Sequence, residues 1–161
     1  MIECPTWPGT LPRDHGAVSS PTRPCTFCSI VAKRSPAEIV HEDDLTLAFM
    51  DALPMTPGHL LIIPKAHIRD LGELAPGDGG PLLTSAAHLA RRLVSTLGAA
   101  GVNLLNNNGL AADQSQFHLH FHLIPRYGSD RLLHPWERRF GNWDEIAEIA
   151  ARLRRTGDDG T

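Results

Sequence analysis

The sequence is short of several residue types, and each shortage excludes a class of protein. Its 161 residues include three cysteines, too few for a disulfide framework, which favours an intracellular protein. No apolar run approaches the ~20 residues of a membrane helix, and the first 24 residues lack the apolar stretch of a signal peptide. Fifteen basic and eighteen acidic residues give a net charge of −3, which argues against a strongly basic nucleic-acid binder or a polybasic membrane anchor. We therefore expect a cytoplasmic protein with no nucleic-acid or membrane partner.

The chain divides into an arm, a domain and a tail. Residues 1–24 carry five prolines and no apolar periodicity, which predicts a flexible N-terminal arm. The domain is predicted to span residues 25–155, with its core over 25–128 and a C-terminal helix over 142–155. Residues 156–161 are expected to form a tail.

Apolar periodicity predicts an α+β fold with a mainly antiparallel, five-stranded sheet. Five apolar residues recur at helical spacing over residues 81–97, which predicts one long helix with Gly98 as its C-cap. The predicted strands cover residues 39–41, 45–50, 59–63, 102–106 and 117–124; short helices or turns are predicted over 26–33 and 67–74. Groups of strands with one long helix between the third and the fourth are typical of α+β proteins.

The most informative segment alternates apolar residues with His118, His120 and His122. Because successive side chains of a strand point to opposite faces, we expect the apolar residues to be buried against the long helix. The three imidazoles are then expected in a row on the exposed face, roughly 7 Å apart. Such a row contributes nothing to a core, so it predicts a chemical function.

Two kinds of chemistry fit this row. Neutral imidazole is the commonest metal ligand in proteins, which is compatible with a metal site. A neutral histidine whose other ring nitrogen is held by an acceptor is also a nucleophile, and it suits phosphorus because water can cleave the phosphoramidate that it forms. The polar residues nearby are neutral hydrogen bonders, which suit phosphate oxygens better than a hard cation. They are Asn106, Asn107, Asn108, Gln114 and Ser115.

The segment His-Leu-His-Phe-His-Leu-Ile, residues 118–124, resembles the signature of the histidine-triad (HIT) family, in which three histidines alternate with apolar residues. Residues 47–51, 56–68, 104–109, 114–115 and 124–126 also match positions of this family. The resemblance covers about residues 25–128. It implies the HIT fold, a nucleotide hydrolase or nucleotidyl transferase, and a homodimer in which two sheets join into one.

The resemblance also implies roles for matched residues. His120 is expected to attack the α-phosphorus of a nucleotide and to form a nucleotidyl-histidine that water hydrolyses. His122 is expected to contact the phosphate, and His59 to support the site from a neighbouring strand. The remaining matches are Asn107, Gln114 and the catalytic Ser115 for the phosphate, Asp51 for the ribose hydroxyls, and Phe27, Ile30 and Phe49 for a purine base. The three apolar residues are also compatible with a plain core.

Two residues depart from the family pattern. Asp113 stands where the family usually has glycine; aspartate tolerates left-handed backbone, but its charge is expected to repel a polyphosphate. Gln116 replaces an apolar residue and is expected to face the histidines.

Cys25-Thr26-Phe27-Cys28 is a CxxC motif, for which zinc, redox and chance origins compete. A redox role requires a thioredoxin-like βαβ context, which the pattern lacks. In one bacterial branch of the HIT family, such cysteines bind zinc with the histidine of Pro-Lys-x-His and the first triad histidine. The resemblance therefore implies a structural zinc at Cys25, Cys28, His67 and His118, away from the phosphorus, and no organic cofactor.

Three functions are compatible with the sequence. The first is an enzyme that cleaves purine nucleoside phosphoramidates, dinucleoside polyphosphates or adenylylated small molecules at the α-phosphorus. The second is a nucleotide-binding regulatory or interaction module with weak turnover, which Asp113 leaves open. The third is a metal-dependent hydrolase that uses the three histidines, and a chelator assay separates it from covalent catalysis by His120.

Overall fold

The structure is a computed structural model that describes residues 25–128, 130 and 141–155. The predicted arm and tail lie outside the described residues. The described residues form three α-helices: α1 (Thr26–Val31), α2 (Gly79–Leu97) and α3 (Trp143–Arg155). They also form five strands: β1 (Ile39–Glu42), β2 (Thr46–Met50), β3 (Leu60–Pro64), β4 (Gly101–Leu105) and β5 (Phe121–Arg126). Two short 3₁₀ helices cover Leu71–Glu73 and Leu110–Ala112.

The five strands form one antiparallel sheet in the order β1-β2-β3-β5-β4. This order puts β1 and β4 at the two edges of the sheet, and helix α2 lies between β3 and β4 along the chain. These observations confirm the predicted α+β class and the antiparallel five-stranded sheet.

The two faces of the sheet are covered unequally. In β2, Ala48 and Met50 belong to the large core with α2 and α3, whereas Leu47 and Phe49 belong to a smaller core with α1. Both faces of β2 are therefore apolar, because successive side chains of a strand point to opposite sides. The face covered by the six-residue α1 is the one that carries the candidate site.

The two longer helices match their predicted positions. Helix α2 ends at Leu97 and is capped by Gly98, whose left-handed φ of 67° costs glycine little because it has no Cβ atom. Helix α3 packs Ile146, Ala150 and Leu153 into the large core. Each helix in the described part of the chain is too short or too polar to cross a bilayer.

The histidine segment differs from the prediction in two ways. Strand β5 begins at Phe121 rather than at residue 117, and the three histidines are buried rather than exposed. Leu119 donates its N–H to the Ile68 carbonyl, and His118 donates from Nε2 to the carbonyl of Pro64, where β3 ends. These bonds hold the segment beside the end of the sheet instead of within it, and they bury the rings.

Candidate functional site

A pocket of about 270 Å³ lies on the α1 side of the sheet. Its apolar wall comes from α1, β2 and β3, and its polar wall from the histidine segment and the chain after β2. The apolar lining includes Phe27, Ile30, Phe49 and Leu61, and the polar lining includes Asp51, Ser115, His120 and His122.

The backbone holds His120 in one tautomer. Its Nδ1 lies 2.7 Å from the His118 carbonyl oxygen, and because a carbonyl only accepts, Nδ1 carries the proton. In the neutral ring the lone pair is therefore on Nε2. Phe27 packs edge-on against the imidazole, with 5.4 Å between ring centroids, and Asn106 donates its side-chain N–H to the His120 carbonyl. Both the ring and the backbone of His120 are thus fixed.

The proton positions of His59 and His122 follow from the same reasoning. The Met55 N–H donates to Nδ1 of His59, so the proton of the neutral His59 ring is on Nε2. That Nε2–H donates to Nδ1 of His122 over 3.0 Å. His122 therefore carries its own proton on Nε2, which makes this atom a hydrogen-bond donor. The buried His59 is thus a positioning residue that sets the tautomer of His122.

Asp51 lies next to this pair of histidines. Its Oδ1 accepts the Leu53 N–H at 2.9 Å, while its Oδ2 is 3.6 Å from His59 Nε2 and 3.7 Å from His122 Nδ1. The carboxylate also lines the pocket. A carboxylate has about four acceptor positions, so this one has the capacity to bind ligand hydroxyl groups as well.

The three apolar residues predicted for the base are both core and pocket wall. Phe27 and Phe49 form an edge-to-face pair with 5.3 Å between centroids, and Ile30 packs in the same small core. All three line the pocket. The two sequence interpretations, core and slot, therefore describe the same surface.

Gln114 is held within its loop by hydrogen bonds to the backbone. Its Oε1 accepts the Gly109 N–H at 2.7 Å, and its Nε2 donates to the carbonyls of Arg69 and Gln116. The buried amide thus fixes the loop, whereas Ser115 lines the pocket itself.

The loop also accommodates the residue that departs from the family pattern. Asp113 has a left-handed φ of 63°, the conformation for which glycine is favoured. Asn107 is buried and lies outside the pocket lining. Gln116 lines the pocket, beside Ser115.

The two cysteines and two histidines predicted to bind zinc lie together. Nδ1 of His118 is 3.5 Å from the Sγ atoms of Cys25 and of Cys28, and Nδ1 of His67 is 3.2 Å from Cys28 Sγ. The four donor atoms all lie within 4.8 Å of one another. A tetrahedral zinc ion with ordinary bond lengths separates sulfur and nitrogen ligands by about 3.6 Å. Both the donor set and its spacing therefore fit zinc.

Burial shifts the pKa values of two groups in this cluster. Burial lowers the pKa of His118, although the hydrogen bond to Pro64 acts in the opposite direction, and a neutral imidazole is the form that binds a metal. Burial also raises the pKa of the Cys28 thiol, and the neighbouring Cys25 adds to the effect. A bound cation favours the thiolate against these effects.

A family model described as HIT domain matches residues 32–129. The chain belongs to this family. Its described part has the five-stranded antiparallel sheet of solved HIT proteins.

Three HIT relatives share most of this domain. "Protein hit" of Bacillus subtilis strain 168 is 42% identical over 104 residues, which are 65% of this chain and 72% of that protein. Adenylylsulfatase HINT3 of Arabidopsis thaliana is 40% identical over 119 residues, which are 73% of this chain and 60% of that protein. The crystal structure of a zinc-bound histidine triad family protein from Mycobacterium smegmatis superimposes with a TM-score of 0.74 and 34% identity, covering 82% of this chain and 91% of the other.

Sequence reasoning missed two residues of this HIT site, Glu38 and Trp143, which line the pocket. It named Asn106 as a hydrogen bonder suited to phosphate, whereas the Asn106 side chain donates to the backbone carbonyl of His120. Trp143 begins a helix that is distant in sequence, and only the packing of α3 brings it to the pocket.

Proposed function

We propose that this HIT protein is a nucleotide hydrolase or nucleotidyl transferase that forms a nucleotidyl-histidine on His120. The observation that carries the proposal is the hydrogen bond from His120 Nδ1 to the His118 carbonyl. It puts the lone pair on Nε2 of a ring that is fixed against the pocket, which is the state that a histidine nucleophile needs.

The proposed reaction has two steps. His120 Nε2 attacks the α-phosphorus and forms an N–P bond while the bond to the leaving group breaks. The electron pair goes to the leaving group, which takes a proton from water. The resulting cationic ring keeps its Nδ1–H bonded to the His118 carbonyl. Water then attacks the phosphorus and loses a proton to solvent, the N–P bond breaks, and the electron pair returns to Nε2 as the nucleoside monophosphate leaves. In a transferase, another acceptor replaces water.

The side chains around His120 stabilise the charge on the phosphoryl oxygens or hold another side chain in position. His122 donates from Nε2 to phosphoryl oxygens, and His59 keeps that proton in place. Ser115 supplies a hydroxyl donor from the loop that Gln114 fixes. Removing one such donor typically costs about 10²–10³-fold in kcat. We also retain Asn107 and Gln114 as nucleotide-binding residues, with Gln114 acting through the position of the loop.

The substrate is proposed to be a purine nucleotide linked to a leaving group through its α-phosphate. Asp51 would accept hydrogen bonds from the ribose hydroxyls, and Phe27, Ile30 and Phe49 would hold the base. The name of the Arabidopsis relative supports adenylylated small molecules as one substrate class. Nucleoside phosphoramidates and dinucleoside polyphosphates are the other two classes.

We further propose that Cys25, Cys28, His67 and His118 hold a structural zinc ion. Two observations support it: the spacing of the donor atoms in the described structure, and the zinc-bound state of the M. smegmatis relative. When bound, the ion would cross-link the start of α1 to the histidine segment. The chain's own residues perform the phosphorus chemistry.

A homodimer and a cytoplasmic location complete the proposal. Strand β4 lies at an edge of the described sheet, and Leu104 on this strand and Val94 on α2 are apolar and exposed. Joining two β4 edges would pair backbone groups and bury such residues. The location rests on the low cysteine content.

Two other functions stay open. Asp113 leaves open a nucleotide-binding module with weak turnover, because its negative charge in the loop is expected to disfavour a polyphosphate substrate. The close approach of Asp51, His59 and His122, whose ligand atoms lie within 4.8 Å, favours a metal-dependent hydrolase.

The deciding experiment is a panel of AMP-linked compounds, with identification of the products and of any nucleotide attached to the protein. We expect AMP release and a nucleotidyl adduct that maps to His120, without added metal. Binding of AMP without turnover of any compound would indicate the module. Hydrolysis that begins only when magnesium or manganese is added, and stops with a chelator, would indicate the metal-dependent enzyme.

A further inference from the structure

Trp143 occupies an unusual position for an exposed tryptophan. It lies on the same stripe of α3 as Ile146, Ala150 and Leu153, since these residues are spaced by three or four positions. The other three side chains are buried in the large core, whereas Trp143 is 64% exposed. The indole extends past the end of that core and lines the pocket that also contains His120 and His122.

The start of α3 is fixed against the chain that follows β2. Gly141 packs so closely there that a Cβ atom would lie 2.8 Å from the Pro54 ring and 2.6 Å from Ile146. Asn142 accepts the N–H of Asp144 through its side chain and so begins the helix. Trp143 is thus held at the pocket by a defined helix start.

The other end of α3 is also bound to a residue that lines the pocket. Arg154 binds the Glu38 carboxylate at 2.7 Å, and Glu38 lies just before β1 and lines the pocket. Helix α3 therefore packs along β1, at one edge of the sheet. Ser115 comes from the loop after β4, at the opposite edge. Trp143 lines the same pocket as Phe27 and Phe49, and it reaches that pocket from a separate element.

We propose that Trp143 is a specificity residue that stacks on the base of the bound nucleotide. This inference rests on the proposed function, because it takes the ligand to be a nucleotide. The apolar wall supplies one contact surface for a flat ring, and the indole supplies another from a separate element. Since a stacking contact grows with ring area, Trp143 favours purines over pyrimidines.

The kinetic test compares wild type with Trp143→Ala and Trp143→Phe, using an adenylyl phosphoramidate and the corresponding ribose 5-phosphate phosphoramidate, which has no base. For the adenylyl substrate, Trp143→Ala should lower kcat/KM by about 5- to 150-fold, the range for loss of one base–aromatic stack. The loss should appear in KM with little change in kcat, because the base is remote from the reacting phosphorus. Trp143→Phe should recover most of it. The substrate without a base should react equally with all three proteins.

A binding test removes the dependence on turnover. Trp7→Phe with Trp136→Phe leaves Trp143 as the only tryptophan of the chain. AMP should quench its fluorescence, CMP should do so more weakly, and ribose 5-phosphate should not. Leu45→Ala, at an exposed leucine of the β1–β2 turn, is the control for truncation of an apolar surface side chain and should leave all constants unchanged.

The outcomes separate this inference from the proposed function. Turnover without quenching, or an equal loss on both substrates in Trp143→Ala, would overturn the stacking role while leaving the enzyme intact. Quenching by AMP in a protein without turnover would support the stack and reject the enzyme.

Discussion

At the scale of single residues, the site depends on where each imidazole carries its proton. His120 has its proton fixed on Nδ1 by a carbonyl, and His122 has its proton fixed on Nε2 by His59. One ring thereby has its lone pair on Nε2, as the proposed nucleophile requires, and the other has its N–H there, as the proposed phosphate donor requires. This division of roles between chemically identical side chains comes entirely from their partners.

Replacing the nucleophile gives the first prediction. His120→Asn should reduce turnover by roughly 10⁴–10⁶-fold, the loss found when a covalent nucleophile is removed. Because the ring is buried, the melting temperature should fall, but by only about 2–4 °C for a loss near 1 kcal/mol. Steady-state hydrolysis and a thermal melt measure the two effects. Near-normal hydrolysis by the variant would rule out the covalent mechanism.

Asp51 gives a prediction about the sugar. Asp51→Ala should weaken ribonucleotide substrates by about 1.5–3 kcal/mol in kcat/KM, since it removes a charged acceptor of hydroxyl hydrogen bonds. Deoxyribonucleotide analogues should lose less. Because Asp51 also lies beside His59 and His122, a loss common to both substrates measures its effect on that pair. An equal loss for both sugars would therefore remove the ribose assignment.

At the scale of elements, the cluster of two cysteines and two histidines joins α1 to the segment that carries His120. The purified protein should contain close to one zinc ion per chain, and Cys25→Ser should lower zinc content and melting temperature together. Activity should fall only indirectly, through loosening of the segment that contains His120. Elemental analysis beside a melting curve measures the effect, and Cys4→Ser, outside the predicted ligand set, is the matched control. A metal-free wild type whose melting temperature does not respond to zinc would contradict the prediction.

The β1–β2 turn contributes a pH-dependent link to α2. Burial by itself would raise the pKa of Asp43, but hydrogen bonds from the Thr46 hydroxyl and from the Thr46 and Leu45 N–H groups outweigh it and hold the pKa well below its usual range. Ser85 of α2 bonds to the same cluster. A carboxylate with a lowered pKa stabilises the fold above its unfolded pKa, and that stability is lost as pH falls.

Asp43→Asn should therefore destabilise the protein most at neutral pH. A loss of about 1–2 kcal/mol is expected after allowance for solvent screening, because the side chain is 42% exposed. The difference from wild type should shrink below about pH 4, where the unfolded carboxyl group becomes protonated. Urea unfolding at several pH values measures it, with the neighbouring exposed Asp44→Asn as control. A difference that stays constant down to pH 2 would show that the charge of Asp43 is not involved.

At the scale of the whole molecule, the β4 edge of the sheet predicts a homodimer. The protein should be a dimer by light scattering, and Val94→Glu should shift it toward monomer by placing a charge on the exposed face of α2 beside β4. Leu45→Glu, at an exposed leucine on the opposite edge of the sheet, should not change the mass. A wild type that is monomeric at all concentrations would contradict the dimer.

Local pattern predicted most of the fold. The long helix was readable from the spacing of Leu82, Leu89 and Leu93, and its end from Gly98, because amphipathic periodicity and glycine act locally. The start of β5 was not readable, since it depends on contacts of Leu119 and His118 with residues more than fifty positions earlier. For the same reason, alternation predicted a common face for the histidines but not their burial.

The candidate site was predictable to a similar degree. Motif resemblance identified the histidines, Asp51 and the four cluster residues, which the structure brings into two neighbouring groups. Resemblance gave no indication of the contacts within the loop, where both polar atoms of the Gln114 amide bind backbone groups. The sequence did not predict Trp143 as a pocket residue, because its position depends on how α3 packs against the rest of the domain.

The side chain and the backbone of His118 have different partners. Its ring belongs to the cysteine cluster, while its carbonyl orients His120. Every residue has a backbone carbonyl, so a change of the side chain at this position removes one member of the cluster without deleting the acceptor of the His120 proton. The position of that proton thus depends on the path of the backbone and not on the side chain at any one position. A lineage is therefore able to lose the cluster, one substitution at a time, and still retain the chemistry, provided that other packing holds the segment in place.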